Sequence, residues 1–161
     1  MRLRLYTVVA LFTLSAVIFT STVFSSEHIL NIQYSQLTKD AQKQIDCLAD
    51  NIYHEAGYEP EDGKVAVALV TLNRVQQSER FGKDICSVVK QKINSVCQFS
   101  WFCSADKVVS NNFVYSQARK VALYVYANYE NLNDITGGAL FYHADYVNPR
   151  WKLTKTTVIG R

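Results

Sequence analysis

Histidine is scarce in this sequence: its 161 residues include three, His28, His54 and His143. No two stand one helical turn apart, the spacing with which a helix presents paired zinc ligands. His54 and Glu55 begin such a motif, but Tyr58 occupies the place of the second histidine. The other two lie far off in the chain, so zinc catalysis is not expected and no cofactor is implied. Positive charge is also short. The net charge is +3, and because residues 1–25 hold Arg2 and Arg4 but no acid, the rest of the chain carries +1. A nearly neutral domain lacks the basic surface that nucleic acid requires. There is no internal repeat and no low-complexity tract, and the length suits one domain with a real core rather than two.

What is present begins with MRLRLYTVVALFTLSAVIFTSTVFSS: two arginines, an apolar run from Leu5 to about Phe19, then small polar residues. That is the layout of a secretory signal, with Val23 and Ser25 at the small-residue positions and cleavage after Ser25. Leu5 to Phe24 is also just long enough to span a bilayer, so an uncleaved anchor is the alternative. Membrane contact is expected only through this segment. The division is therefore a signal at 1–25, a linker at 26–37 and a single functional domain at 38–161.

Four cysteines, Cys47, Cys86, Cys97 and Cys103, form an even set, which in an exported chain favours two disulfides. Three pairings are possible. The one favoured closes a short loop between Cys97 and Cys103 and leaves Cys47 with Cys86. Bridged cysteines supply no thiolate, which disfavours a cysteine nucleophile acting with His143.

From Thr38, a candidate cap, apolar residues recur at helical spacing: Ile45, Leu48, Ala49, Ile52, Tyr53 and Ala56, with Gly57 as the stop. Pro60, Glu61 and Asp62 make an acidic start for a second helix. Its Val65, Ala66, Ala68, Leu69, Leu72 and Val75 cover most of the circumference, so it belongs in the middle of the domain. A short helix is predicted near Asp84 to Gln91, capped by Asp84, with Ile85, Val88 and Val89 inward. CQFSWFC, Cys97 to Cys103, reads as a hairpin or a pinned loop. Another helix starts at Asn111 or Asn112, with Phe113, Ala118, Val121, Ala122, Val125 and Tyr126 in one stripe. Gly137 and Gly138 break the chain before a predicted strand, Ala139 to Ala144, with which TTVI near the end can pair. The sum is an α+β, mainly helical domain with a small antiparallel sheet.

Glu55 is the sharpest chemical signal. A carboxyl on the edge of an apolar helix face is partly desolvated, which raises its pKa and makes it a usable acid near neutrality. The alternative is a solvated residue at a helix end, but the helix dipole disfavours a carboxylate there. A second signal is the aromatic set: Phe99, Trp101 and Phe102, then Phe141, Tyr142, Tyr146 and Trp151. Phe99, Phe102 and Phe141 are expected in or near the core, whereas Trp101, Tyr146 and Trp151 suit a groove for sugar faces. Gln98, Ser100, Asn148 and Arg150 are candidates for contacts to sugar edges.

LADNIYHEAGYEPEDGKVAVALVTLNRV, FGKDICSVV, CQFSWFC and GALFYHADYVNPRW occur in this order. Together they resemble the cell-wall hydrolase family of spore cortex-lytic enzymes, the SleB type, over roughly Ile45 to Gly160. The resemblance implies a compact domain related to the lysozyme-like lytic transglycosylases, acting as a monomer on peptidoglycan glycan strands in the periplasm or cell envelope of a bacterium, or encoded by a phage. It also implies that Glu55, matching the first glutamate of the E-A-R-G-E motif, is the catalytic acid. Glu59, Gln98, Ser100, Trp101, Tyr142, Tyr146 and Trp151 are then the expected substrate contacts. Glu59 is expected to orient its loop or pair with a base, with Asp62 and Asp106 behind it. The motif departs from the family pattern: Gly57 stands for the usual arginine and Tyr58 for the usual glycine. The sequence stops at Ile159, Gly160 and Arg161, where members usually continue with a histidine and aromatics. A hydrolytic muramidase, an amidase and a non-catalytic peptidoglycan-binding protein are the alternatives to transglycosylation.

Overall fold

The computed structural model describes residues 33–105, 107–144, 146–150, 152–155 and 157–159. The expected signal, most of the expected linker, Asp106 and Trp151 lie outside the described residues.

Helix α1, Lys39–Ala56, begins as its sequence requires: the Thr38 hydroxyl accepts the amide of Ala41 at 3.2 Å, and Gly57 caps the other end. Ile45, Leu48, Ala49, Ile52, Tyr53 and Ala56 are all buried, which makes α1 the spine of the core. Helix α2, Glu61–Gln76, starts on Pro60 with Glu61 and Asp62 in its first turn. Every residue from Val67 to Arg74 is buried. A helix enclosed in this way carries its polar residues inward too, and Thr71, Asn73 and Arg74 are inside.

Helix α3, Ile85–Val89, is capped by Asp84, whose carboxylate accepts the amide of Ser87 while the Ser87 side chain closes the box on the Asp84 backbone. Strands β1, Lys92–Ile93, and β2, Val96–Cys97, pair antiparallel. Asn94 and Ser95 turn between them with φ of 50° and 66°, the left-handed pair of a tight hairpin. Helix α4, Ser100–Cys103, is a single turn, and α5, Asn112–Asn128, is capped by Asn111. α1 packs against α5, α2 and α3, and α2 also packs on α5. No helix among the described residues is long and apolar enough to cross a membrane.

Three expectations are corrected. The small sheet lies at residues 92–97 rather than at Ala139 to Ala144, which forms no strand. Its carbonyls are taken by side chains instead of a partner strand: Ala139 accepts from Asn73 Nδ2 at 3.2 Å and Leu140 from Arg74 Nε at 2.8 Å. CQFSWFC is pinned by the bridge from Cys97 to Cys103, as one of its two readings had it, but only Cys97 joins the hairpin and Ser100 to Cys103 form the helical turn α4, which neither reading contained. Phe113 is 71% exposed; Val114 takes the inward place, in register with Ala118, Val121, Ala122 and Val125.

Both disulfides join the favoured pairs, Cys47 with Cys86 and Cys97 with Cys103. The first ties α1 to α3 across a sequence separation of 39, the second spans 6. Loop-closure entropy makes the longer bridge worth about 4 kcal/mol and the shorter about 2 kcal/mol. Replacing Cys47 and Cys86 by alanine is therefore expected to lower the urea midpoint further than replacing Cys97 and Cys103. The reverse order would mean that local geometry, not chain entropy, governs the two bridges.

Candidate active site

Glu55 lies in the last turn of α1, half-buried between that helix and the segment that follows the glycine pair. Tyr142 donates its hydroxyl to Glu55 Oε2 at 2.9 Å across 87 residues of sequence. Burial, the larger effect, pushes the Glu55 carboxyl above its ordinary value; the Tyr142 hydrogen bond and the charges of Arg74 and His54 pull the other way. Burial and the Glu55 charge raise the Tyr142 phenol, so it remains a donor.

Tyr142 is held there through α2. Asn73 Nδ2 donates to Asp134 Oδ2 at 2.9 Å, to Thr136 Oγ1 and to the Ala139 carbonyl, while Tyr129 donates to Asn73 Oδ1 at 2.9 Å. Burial would raise the Asp134 carboxyl, but hydrogen bonds from Thr136, Asn73 and the Gly138 amide outweigh it and hold the group below its usual range. Gly137 and Gly138 adopt φ of 63° and 78°, a turn that a β-carbon would strain. One residue on from Asn73, the Arg74 guanidinium sits among the rings of Phe81, Phe99 and Phe141, at 5.3, 5.0 and 5.4 Å from their centroids. Arg74 is 6% exposed, and burial lowers its pKa.

On the other side of Glu55 opens a cleft of about 560 Å³, lined by Tyr53 to Glu59 and, opposite, by Ala105, Val108 and Ser110. Tyr53 ties these walls together, its phenol oxygen accepting the amides of Ser110 and Asn111 at 3.1 and 3.2 Å. Ala105, Val108 and Ser110 carry no catalytic signature and were not legible as wall residues. Glu59 lines the cleft mouth and is exposed; Lys64 Nζ donates to its backbone carbonyl rather than to its carboxylate. Asp62 is exposed in the first turn of α2.

The remaining candidates are dispersed. Trp101 stacks on His54, with centroids 4.4 Å apart and planes at 14°, and its indole N–H donates to the buried Asn51 Oδ1 at 3.0 Å. One face and the polar edge of Trp101 are thus committed inside the protein. Phe99 is buried, and Phe102 and Phe141 are half-buried, in line with core packing. Gln98 is half-buried and Ser100 exposed, and neither lines the cleft. Tyr146 is 88% exposed.

Gly57 has a structural explanation. A β-carbon there would meet the Tyr53 carbonyl and come within 3.0 Å of Val114 Cγ1. The glycine lets the end of α1 seat against the start of α5, where any larger side chain would require the Tyr53 carbonyl to shift and Val114 to give way.

A profile of the cell wall hydrolase family matches residues 58–161, well over half of the sequence. No curated protein and no solved structure matches. The chain belongs to the cell wall hydrolase family. It is accordingly an enzyme acting on the cell wall, with peptidoglycan as its substrate, and the family together with two disulfides marks an extracellular or envelope protein. The match begins three residues beyond Glu55, so the assignment of that carboxyl rests on its surroundings and on the motif.

A carboxyl whose folded pKa exceeds its unfolded value binds its proton more tightly in the folded state. Its contribution destabilises the fold once pH rises above the unfolded value, about 4.3 for glutamate. Glu55→Gln, which keeps an oxygen for Tyr142, is therefore expected to raise Tm at pH 7 and to lose that advantage as pH falls to about 4. Thermal unfolding of both proteins from pH 4 to pH 8 checks this; a gain that is absent at pH 7, or that grows in acid, contradicts a raised Glu55 pKa.

Proposed function

We propose that this protein cleaves peptidoglycan glycan strands between N-acetylmuramic acid and N-acetylglucosamine as a lytic transglycosylase, on a fold related to the lysozyme-like enzymes. Glu55 is the single acid and base. The observation that carries the reading is a half-buried carboxyl with a raised pKa, oriented by Tyr142 at the edge of an open cleft. With Oε2 occupied by the Tyr142 hydroxyl, the acid form carries its proton on Oε1. That proton passes to the glycosidic oxygen as the bond to the muramoyl C1 breaks. The carboxylate left behind takes the proton of the muramoyl C6 hydroxyl, O6 bonds to C1, and a 1,6-anhydro ring closes without water. Glu55 thereby ends protonated, ready for the next strand.

A hydrolytic muramidase requires a second carboxylate, about 5 Å away for retention or farther for inversion. Glu59 is the candidate, because it lines the same cleft. Product chemistry separates the two routes. Incubating residues 26–161 with purified peptidoglycan is expected to release fragments ending in 1,6-anhydromuramic acid, and Glu55→Gln to release them at least about 10²-fold more slowly. Reducing ends would assign hydrolysis, and undiminished release by Glu55→Gln would remove Glu55 from the chemistry.

Tyr142 tunes the same acid. Its hydrogen bond favours the carboxylate, so Tyr142→Phe is expected to raise the Glu55 pKa and move the alkaline limb of the pH–rate profile upward. A limb that stays in place or moves down would show that Tyr142 does not act on Glu55.

A further inference from the structure

The aromatic side chain best placed for substrate is one that the family pattern does not provide. Tyr58 follows Gly57 at the end of α1, lines the same cleft as Glu55, and is 81% exposed. Single exposed aromatics are ordinary on protein surfaces. Within this cleft, however, the other rings are already engaged. Tyr53 accepts two backbone amides through its phenol oxygen, and His54 is covered on one face by Trp101. Tyr142, on the other side of Glu55, gives its hydroxyl to that carboxylate. Tyr58 makes no ring contact and no hydrogen bond with the described residues.

We infer that Tyr58 is a stacking platform for an N-acetylhexosamine ring of the glycan strand, and so a substrate-positioning residue next to the acid. This rests on the reading that the cleft receives a glycan strand. Two features carry it beyond exposure.

The first is rigidity. The Tyr58 backbone sits on a turn closed by the Gly57 amide to the Tyr53 carbonyl at 3.1 Å and the Glu59 amide to the Ala56 carbonyl at 3.0 Å. A β-carbon on Gly57 would collide with the Tyr53 carbonyl and press on Val114 Cγ1 at 3.0 Å, so the end of α1 is closely packed. The ring therefore projects from a fixed base, and little backbone order must be gained on binding.

The second is the chemistry of the lining. Val108, 75% exposed, adds apolar surface on the opposite wall; the Glu59 carboxylate offers polar atoms, as does the Ser110 hydroxyl, which also shares a hydrogen bond with the Tyr53 phenol at 3.2 Å. A sugar ring presents C–H faces and hydroxyl or acetamido edges, which match an aromatic face flanked by hydrogen-bonding groups. Among the described residues no lysine or arginine lines the cleft, so that lining offers no ammonium or guanidinium for the free carboxylates of a stem peptide. The glycan is the better match of the two parts of the polymer.

The test separates binding from chemistry. The protein carrying Glu55→Gln is titrated with a soluble N-acetylglucosamine pentasaccharide by calorimetry, with and without Tyr58→Ala, Tyr58→Phe and Tyr58→Trp. Tyr58→Ala is expected to weaken binding about fivefold to tenfold. The phenylalanine and tryptophan forms are expected to stay within about twofold, since the ring and not the hydroxyl does the stacking. Circular dichroism monitors folding, which a side chain this exposed should not disturb. Equal affinity with and without the Tyr58 ring, or no pentasaccharide binding by any form, overturns the inference. Because every form lacks the carboxyl, this result is independent of whether Glu55 is the acid, which product analysis decides separately.

Discussion

The site depends on the burial of two polar side chains in α2. Asn73 and Arg74 are enclosed with the apolar residues around them, and a buried amide or guanidinium without partners is costly. Both find partners in the 134–141 segment: Asp134, Thr136 and the Ala139 carbonyl for Asn73, the Leu140 carbonyl and the Phe141 ring for Arg74. Satisfying those groups pins an otherwise irregular segment to the core. Tyr142 follows directly and reaches Glu55. The hydrogen bond that orients the candidate acid is thus a consequence of how α2 satisfies its own buried polarity. Arg74 Nη1 has no hydrogen-bond partner among the described residues, and the charge of Arg74 limits how far burial raises the Glu55 carboxyl.

The same economy governs the other side of Glu55. Gly57 brings the end of α1 against α5, and Tyr53 fastens the 110–111 backbone through its phenol oxygen. These two contacts set the distance between the cleft walls. Gly57 and Tyr58 act together: the glycine permits close packing, and the tyrosine places a ring in the cleft. The chemistry proposed for Glu55 and the stability of the fold pull in opposite directions, since the burial that raises its pKa is a cost to the folded state at neutral pH.

Periodicity and caps made α1, α2, α3 and most of α5 legible, because each helix has an apolar face or a cap whose cause is local. Thr38, Asp84 and Asn111 all cap where their neighbours in sequence imply. Ala139 to Ala144 misled because its composition suits a strand while its hydrogen-bond partners are side chains 66 residues away. Trp101 suggested a groove, but its indole is paired with Asn51 and stacked on His54, contacts 50 and 47 positions distant that no local pattern encodes. The opposite cleft wall left no trace at all, since Ala105, Val108 and Ser110 matter for where they stand rather than for what they are.

By itself, then, the sequence determined α1, α2, α3 and most of α5, two disulfides with one favoured pairing, and a carboxyl at the edge of an apolar helix face. Those features follow from spacing along the chain, and spacing is a property of the sequence. Tertiary structure decided which hydroxyl meets Glu55, how its pKa moves, and which aromatic stands free in the cleft. Each of those depends on the burial of groups far apart in the chain, and burial exists only once α1, α2 and α5 have packed together.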